Sequence, residues 1–159
     1  MESVLVLGVG NEILTDDGIG PRLVNSLNRG LLPEVVDYKN TSLGGLEMLD
    51  LICRYESVVL IDAMKTGIFP PGSVHCFTPD DFRETLHLSN LHDINFLTAL
   101  ELGRVTGMPV PANIYIIAIE IVEDMVFSSE FSPAIQKQYP EILRQVEDML
   151  KYLVGKSPG

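Results

Sequence analysis

Apolar residues along this chain fall into two patterns, short continuous runs and longer stretches with helical spacing. The runs read as strands. Ser3 to Val9 (SVLVLGV) and Ser57 to Ala63 (SVVLIDA) are nearly all apolar, as strands covered on both faces must be. Asn113 to Val122 (NIYIIAIEIV) is the longest such run. Val35 to Asn40 is shorter and more polar, so it is expected nearer an edge. Ser73 to Thr78 follows the turn Pro70-Pro71-Gly72, which joins it tightly to the Ser57 to Ala63 strand and predicts antiparallel pairing at an edge.

Helical spacing fills the gaps. Gly20 to Arg29 places Leu23, Val24 and Leu27 on one face, with Pro21 suited to a first turn. Leu43 to Tyr55 carries Leu46, Leu49, Ile52 and Cys53 at helical spacing. Asp93 to Thr106 carries Phe96, Leu97, Leu100 and Val105, and Gly107 is a good C-terminal stop. From Pro140 to Val154 a stripe of Ile142, Leu143, Val146, Met149, Leu150 and Leu153 repeats with helical period. Pro140 is expected to open that helix, because an interior proline breaks the hydrogen-bond ladder.

This order implies an α/β fold, three-layered, with a mostly parallel twisted sheet of about five strands and helices on both faces. Right-handed crossovers place the first strand between the second and third. Ligands bind such sheets outside the carboxyl ends of the strands, where the order reverses. The residues there are Gly10, Asn11, the loop to Asp17, and Asp62. A chain of 159 residues suits one domain, expected over residues 1–154, with Gly155 to Gly159 as a loose tail.

Composition narrows the partners. A net charge of -11 makes nucleic acid and anionic membrane surfaces poor partners, and a basic or neutral protein a better one. The bland reading is that acidity only keeps the protein soluble. No apolar stretch is long enough to span a bilayer, and the N-terminus has no basic segment ahead of its apolar run. Cys53 and Cys76 form no CxxC pair, and each sits in an apolar segment. Buried free thiols in a reducing compartment, and so a cytoplasmic protein, are expected. A monomer that engages its partner transiently is expected as well.

The first loop contains Gly8-Val9-Gly10, which raises a dinucleotide site such as one for NAD, with Asp37 near a ribose position. The detail argues against it. The third glycine of that motif would fall at Ile13, and Asp16 and Asp17 would repel a phosphate at the helix entrance. Those two aspartates could simply cap the helix. They could also divide the work, one capping and one pointing into the cleft. Asp62 ends an apolar strand, where a carboxylate costs free energy unless paired, solvated or bound to a cation. Of the three histidines, His75 and His87 read as structural or surface residues, and His92 lies on a loop at a helix entrance. Asp17, Asp62 and His92 together would suit a borderline divalent metal, although their spacing is no local metal motif. There is no H-E-x-x-H and no G-x-S-x-G.

The stretch Val4 to Val24 (VLVLGVGNEILTDDGIGPRLV) resembles the hydrogenase maturation proteases. The resemblance continues through Leu43-Gly44-Gly45-Leu46-Glu47, Val58 to Ala63, Leu91-His92-Asp93, Ala118-Ile119-Glu120 and Phe131-Ser132-Pro133. It implies an endopeptidase that removes the C-terminal extension of a nickel-iron hydrogenase large-subunit precursor after nickel insertion. It implies that Asp17, Asp62 and His92 are the metal-contacting and catalytic set. The nickel would be carried by the substrate rather than held by the free enzyme. The same resemblance leaves open a non-catalytic nickel-sensing protein or metallochaperone of this fold, and a related protease of the spore germination type.

Overall fold

The computed structural model describes residues 3–42, 44–86 and 91–156, with the side chains of 86, 91–95 and 156 outside the description. His87 lies outside the described residues. The strands are β1 (Val4–Val9), β2 (Val36–Thr41), β3 (Ser57–Met64), β4 (Val74–Phe77) and β5 (Asn113–Glu120). The helices are α1 (Ile19–Ser26), α2 (Gly45–Ile52), α3 (Pro79–Leu86), α4 (Leu91–Val105) and α5 (Pro133–Lys156).

The sheet order is β2-β1-β3-β5-β4. The first four are parallel, and β4 is antiparallel to β5. The first strand therefore lies between the second and third, as right-handed crossovers require. The polar strand β2 lies at one edge. β4 lies at the other, but its neighbour is β5 rather than β3, although the short turn after β3 leads straight into it.

Each face of the sheet has its own core. Val59, Ile61 and Ala63 of β3 pack with Ile19, Leu23 and Val24 of α1 and with Ile135, Ile142, Val146 and Leu150 of α5. Val58, Leu60 and Met64 of β3 pack with α2, with Phe82 of α3, and with Phe96, Leu97 and Leu100 of α4. Successive strand residues alternate between faces, which is why the continuous apolar runs feed both cores.

Several expectations are corrected. α3 was not among the expected helices, because Phe82 is the one buried large side chain among the described side chains of its eight residues PDDFRETL. Its start is nevertheless encoded: Asp81 N–H donates to Thr78 Oγ1 at 3.3 Å, Phe82 N–H donates to the Thr78 carbonyl, and proline fills the first position. α5 begins at Pro133 and carries Pro140 in its interior. Pro140 is exposed, as is Gln136, so the turn that forfeits a backbone hydrogen bond to the proline lies on the solvent side of the helix. α5 also runs through Gly155 and Lys156, two residues into the expected tail. Leu46 and Val105 are exposed rather than core. Both cysteines are free, but Cys53 is half-buried and Cys76 is exposed, because β4 is an edge strand with a thinly covered face.

Candidate functional site

The site is built where β1 and β3 end. After β1 the chain turns at Gly10, whose φ of 148° and whose position against the Asp17 carbonyl, 2.0 Å from where a Cβ would sit, both demand glycine. Asn11 follows. Its side chain accepts the Ile13 N–H at 3.1 Å, and its own N–H donates to Asp17 Oδ2 at 2.8 Å. A 3₁₀ turn, Thr15–Gly18, then carries both aspartates into α1. That turn lies against β3, the strand that carries Asp62.

Asp62 is 6% exposed. Its Oδ1 accepts the Ala63 N–H at 2.8 Å. Asp62 alternates with Leu60 and Met64, so its side chain shares the sheet face covered by α2 and α4. The C-terminal end of α4 lies at the opposite edge, since the connection to β5 passes Pro109, whose carbonyl accepts the Arg54 N–H just before β3. The first turn of α4 therefore points toward the Asp62 end of the sheet. His92 occupies that turn, and its side chain lies outside the described residues. Among the described residues no group of three or more His, Cys, Asp or Glu side chains could hold a metal ion. The fold packs the turn bearing Asp17 against the strand bearing Asp62, and directs the helix bearing His92 to the same edge of the sheet.

Two more carboxylates stand at this edge, and sequence reasoning missed their work. Asp16 is fully buried and caps neither the 3₁₀ turn nor α1. It accepts from Val122 N–H at 3.1 Å, Glu123 N–H at 2.9 Å, Ser132 N–H at 2.8 Å and Ser132 Oγ at 2.7 Å. It thereby fastens the β5–α5 loop to the loop after β1. Thr15 adds to the tie: its N–H donates to the Ser128 carbonyl at 3.0 Å, and its hydroxyl donates to the Val126 carbonyl. Thr15 holds a left-handed φ of 52°, a conformation that persists only where its surroundings over-determine it. Glu120 is 2% exposed, and its carboxylate accepts from Thr66 N–H at 2.9 Å, from the Thr66 hydroxyl and from Gly67 N–H at 3.3 Å. It anchors the β3–β4 loop. The available signal was an acidic residue breaking an apolar run, the same signal that marked Asp62.

Removing Asp16 should loosen one wall of the crevice. Asp16→Ala leaves two loop amides and the N–H and hydroxyl of Ser132 without an acceptor, and is expected to cost about 3 kcal/mol of stability. A urea midpoint close to wild type would mean the β5–α5 loop is held by something else.

His75 is structural. Its ring stacks between Phe69 and Phe77, with centroids 4.1 Å and 6.0 Å away. Burial pushes its imidazole below its ordinary value, partly offset by the Glu120 carboxylate.

Comparison with solved structures identifies the class of fold. The hydrogenase-maturating endopeptidase HybD of Escherichia coli superposes with a TM-score of 0.78 at 24% identity, covering 94% of this chain and 93% of that one. Residues 21–149 match the family described as "HycI: Hydrogenase maturation protease". The chain belongs to the hydrogenase maturation protease family and is an endopeptidase. Among curated relatives, the hydrogenase 2 maturation protease of Escherichia coli is 27% identical over 146 residues, 90% of this chain and 87% of that protein. The hydrogenase expression/formation protein HupD of Thiocapsa roseopersicina is 28% identical over 153 residues, 94% of this chain and 67% of that protein. The family match spans Asp62 and His92 and begins four residues after Asp17. No helix among the described residues is long and apolar enough to cross a membrane.

Proposed function

We propose that this endopeptidase removes the C-terminal extension of a nickel-iron hydrogenase large-subunit precursor once nickel has been inserted, and that Asp17, Asp62 and His92 carry the reaction. The observation behind this reading is Asp62, a buried carboxylate near the C-terminal end of a strand whose other polar residue is Ser57, with the Asp17 turn packed against that strand. Desolvating a carboxylate is costly, and a cation arriving with the substrate would offset that cost. Carboxylate oxygens and an imidazole nitrogen suit a borderline divalent ion such as nickel. The metal belongs to the precursor, and bound there it would polarise the scissile carbonyl or mark it for recognition.

The chain's own residues do the rest. Asn11 N–H bonds one oxygen of Asp17 and fixes the carboxylate's direction. Ala63 N–H does the same for Asp62. An Asp or His92 placed beside the scissile bond serves as the base that takes the proton of the attacking water. On this reading the enzyme works in the cytoplasm as a monomer that engages its precursor transiently.

The test is intact mass spectrometry of nickel-loaded and nickel-free precursor after incubation with the protein. Loss of the tail from the loaded form alone is expected. Cleavage of both forms would remove the nickel-reading role. Cleavage of neither, with a precursor shown to be competent, would favour a binding protein.

A further inference from the structure

The loop that Asp16 fastens presents apolar side chains to solvent. Met125 is 78% exposed, Val126 54% and Phe127 79%, and Ile13, joined to the loop through Ser128, is 56% exposed. Single exposed apolar residues are ordinary, but four on adjoining segments form a patch of the kind that marks an interaction site.

This exposure is not slack in a loose loop. The backbone is tied at Val122 and Glu123 by Asp16, at Val126 by the Thr15 hydroxyl, and at Ser128 by Ile13 and Thr15. A loop bound at four positions cannot fold its side chains back into the core without breaking buried hydrogen bonds. The same aspartate that fixes the loop is the sequence neighbour of Asp17, so patch and crevice form one rigid unit.

Charge indicates what covers the patch. No Lys or Arg occurs between Arg104 and Lys137, a stretch that contains the whole loop. Glu12 and Glu130 are exposed beside it, and Glu123 is half-exposed. Of the cations that approach, Lys65 is paired with Asp124 at 3.2 Å, and Arg22 lies over the Phe131 ring at 4.6 Å. An apolar patch with an acidic rim fits an apolar surface flanked by basic residues. A second copy of this chain is a poor occupant, because two acidic rims would meet on proteins that each carry a net charge of -11.

We propose that Met125, Val126, Phe127 and Ile13 form the docking surface for the precursor itself, seating an apolar segment with basic flanks on the body of the large subunit beside the scissile tail. This rests on the substrate assigned above. Docking there would supply binding energy remote from the cut bond and fix the tail's approach to Asp17 and Asp62.

The test is the double variant Met125→Ser with Phe127→Ser, titrated against nickel-loaded precursor for Kd and assayed for cleavage. Kd and KM are expected to rise about tenfold or more, with kcat within about twofold and the thermal midpoint unchanged. Val105→Ser, exposed at the far edge of the sheet, should change neither constant. Wild-type cleavage with Kd and KM unmoved in the double variant would overturn the proposal. So would a wild-type dimer that the double variant converts to monomer with unchanged KM, since a second copy would then own the patch. A wild-type protein that binds precursor without cutting it, with binding lost in the double variant, would leave the docking surface standing and remove the substrate reaction instead. Precursor that wild type does not bind would remove both.

Discussion

Asp62→Asn is expected to lower kcat/KM for nickel-loaded precursor by roughly 10²–10⁴-fold while leaving the fold intact. Asparagine has the same shape, and its side-chain oxygen can still accept the Ala63 N–H that Asp62 accepts at 2.8 Å. What it loses is the charge. A structural carboxylate would show that loss as lower stability, whereas one retained for cation contact or proton transfer shows it in turnover. The unfolding midpoint should therefore stay within about 4 °C of wild type, a shift worth roughly 1 kcal/mol. Activity above a tenth of wild type would remove Asp62 from the reaction. A collapse of the midpoint with proportionate loss of activity would make it a structural residue.

A large stability effect is expected at Gly20. Gly20→Ala should cost about 3 kcal/mol or more, the upper range for overpacking. A Cβ there would lie 2.3 Å from the Ile61 carbonyl oxygen, 2.6 Å from the Val9 carbonyl oxygen and 2.9 Å from the Val9 nitrogen. All three are backbone atoms of central strands, and none can rotate away. α1 would have to lift off β1 and β3, carrying the Asp17 turn with it, so activity should fall along with stability. Gly103→Ala is the control, because its Cβ would meet only the side chains of Val110 and Leu49, at 3.2 Å and 3.1 Å. Those can give, and a change within about 1 kcal/mol is expected. Urea denaturation separates the two. A Gly20→Ala protein as stable as the control would mean α1 can slide on the sheet.

The three central strands were legible because burial on both faces leaves no room for polar residues, and that signal is local. The place of β1 between β2 and β3 followed from crossover handedness, whereas the insertion of β5 between β3 and β4 did not. The candidate address at the ends of β1 and β3 rests on that reversal of order. What stayed hidden was whatever depended on distant partners or on weak local pattern. Asp16 looked like a helix cap because the N–H groups that donate to its carboxylate, on Val122, Glu123 and Ser132, lie more than a hundred residues away. α3 was missed because one buried phenylalanine makes no stripe. α5 was begun late because Pro140 looks like a start, while the true start is Pro133 preceded by Ser132, a good cap residue.

The tie between Asp16 and Ser132 also sets when the crevice can exist during synthesis. β1, α1 and β3 can collapse on one another while the chain is still growing, since domains fold progressively from the N-terminus. The wall made by the β5–α5 loop cannot close until Ser132 has left the ribosome, and the core under α1 is incomplete until α5 follows. A nascent chain would therefore hold a sheet long before it held a protease. The candidate site is among the last parts of the molecule to be completed, and truncation ahead of Ser132 would leave its β5–α5 wall untied.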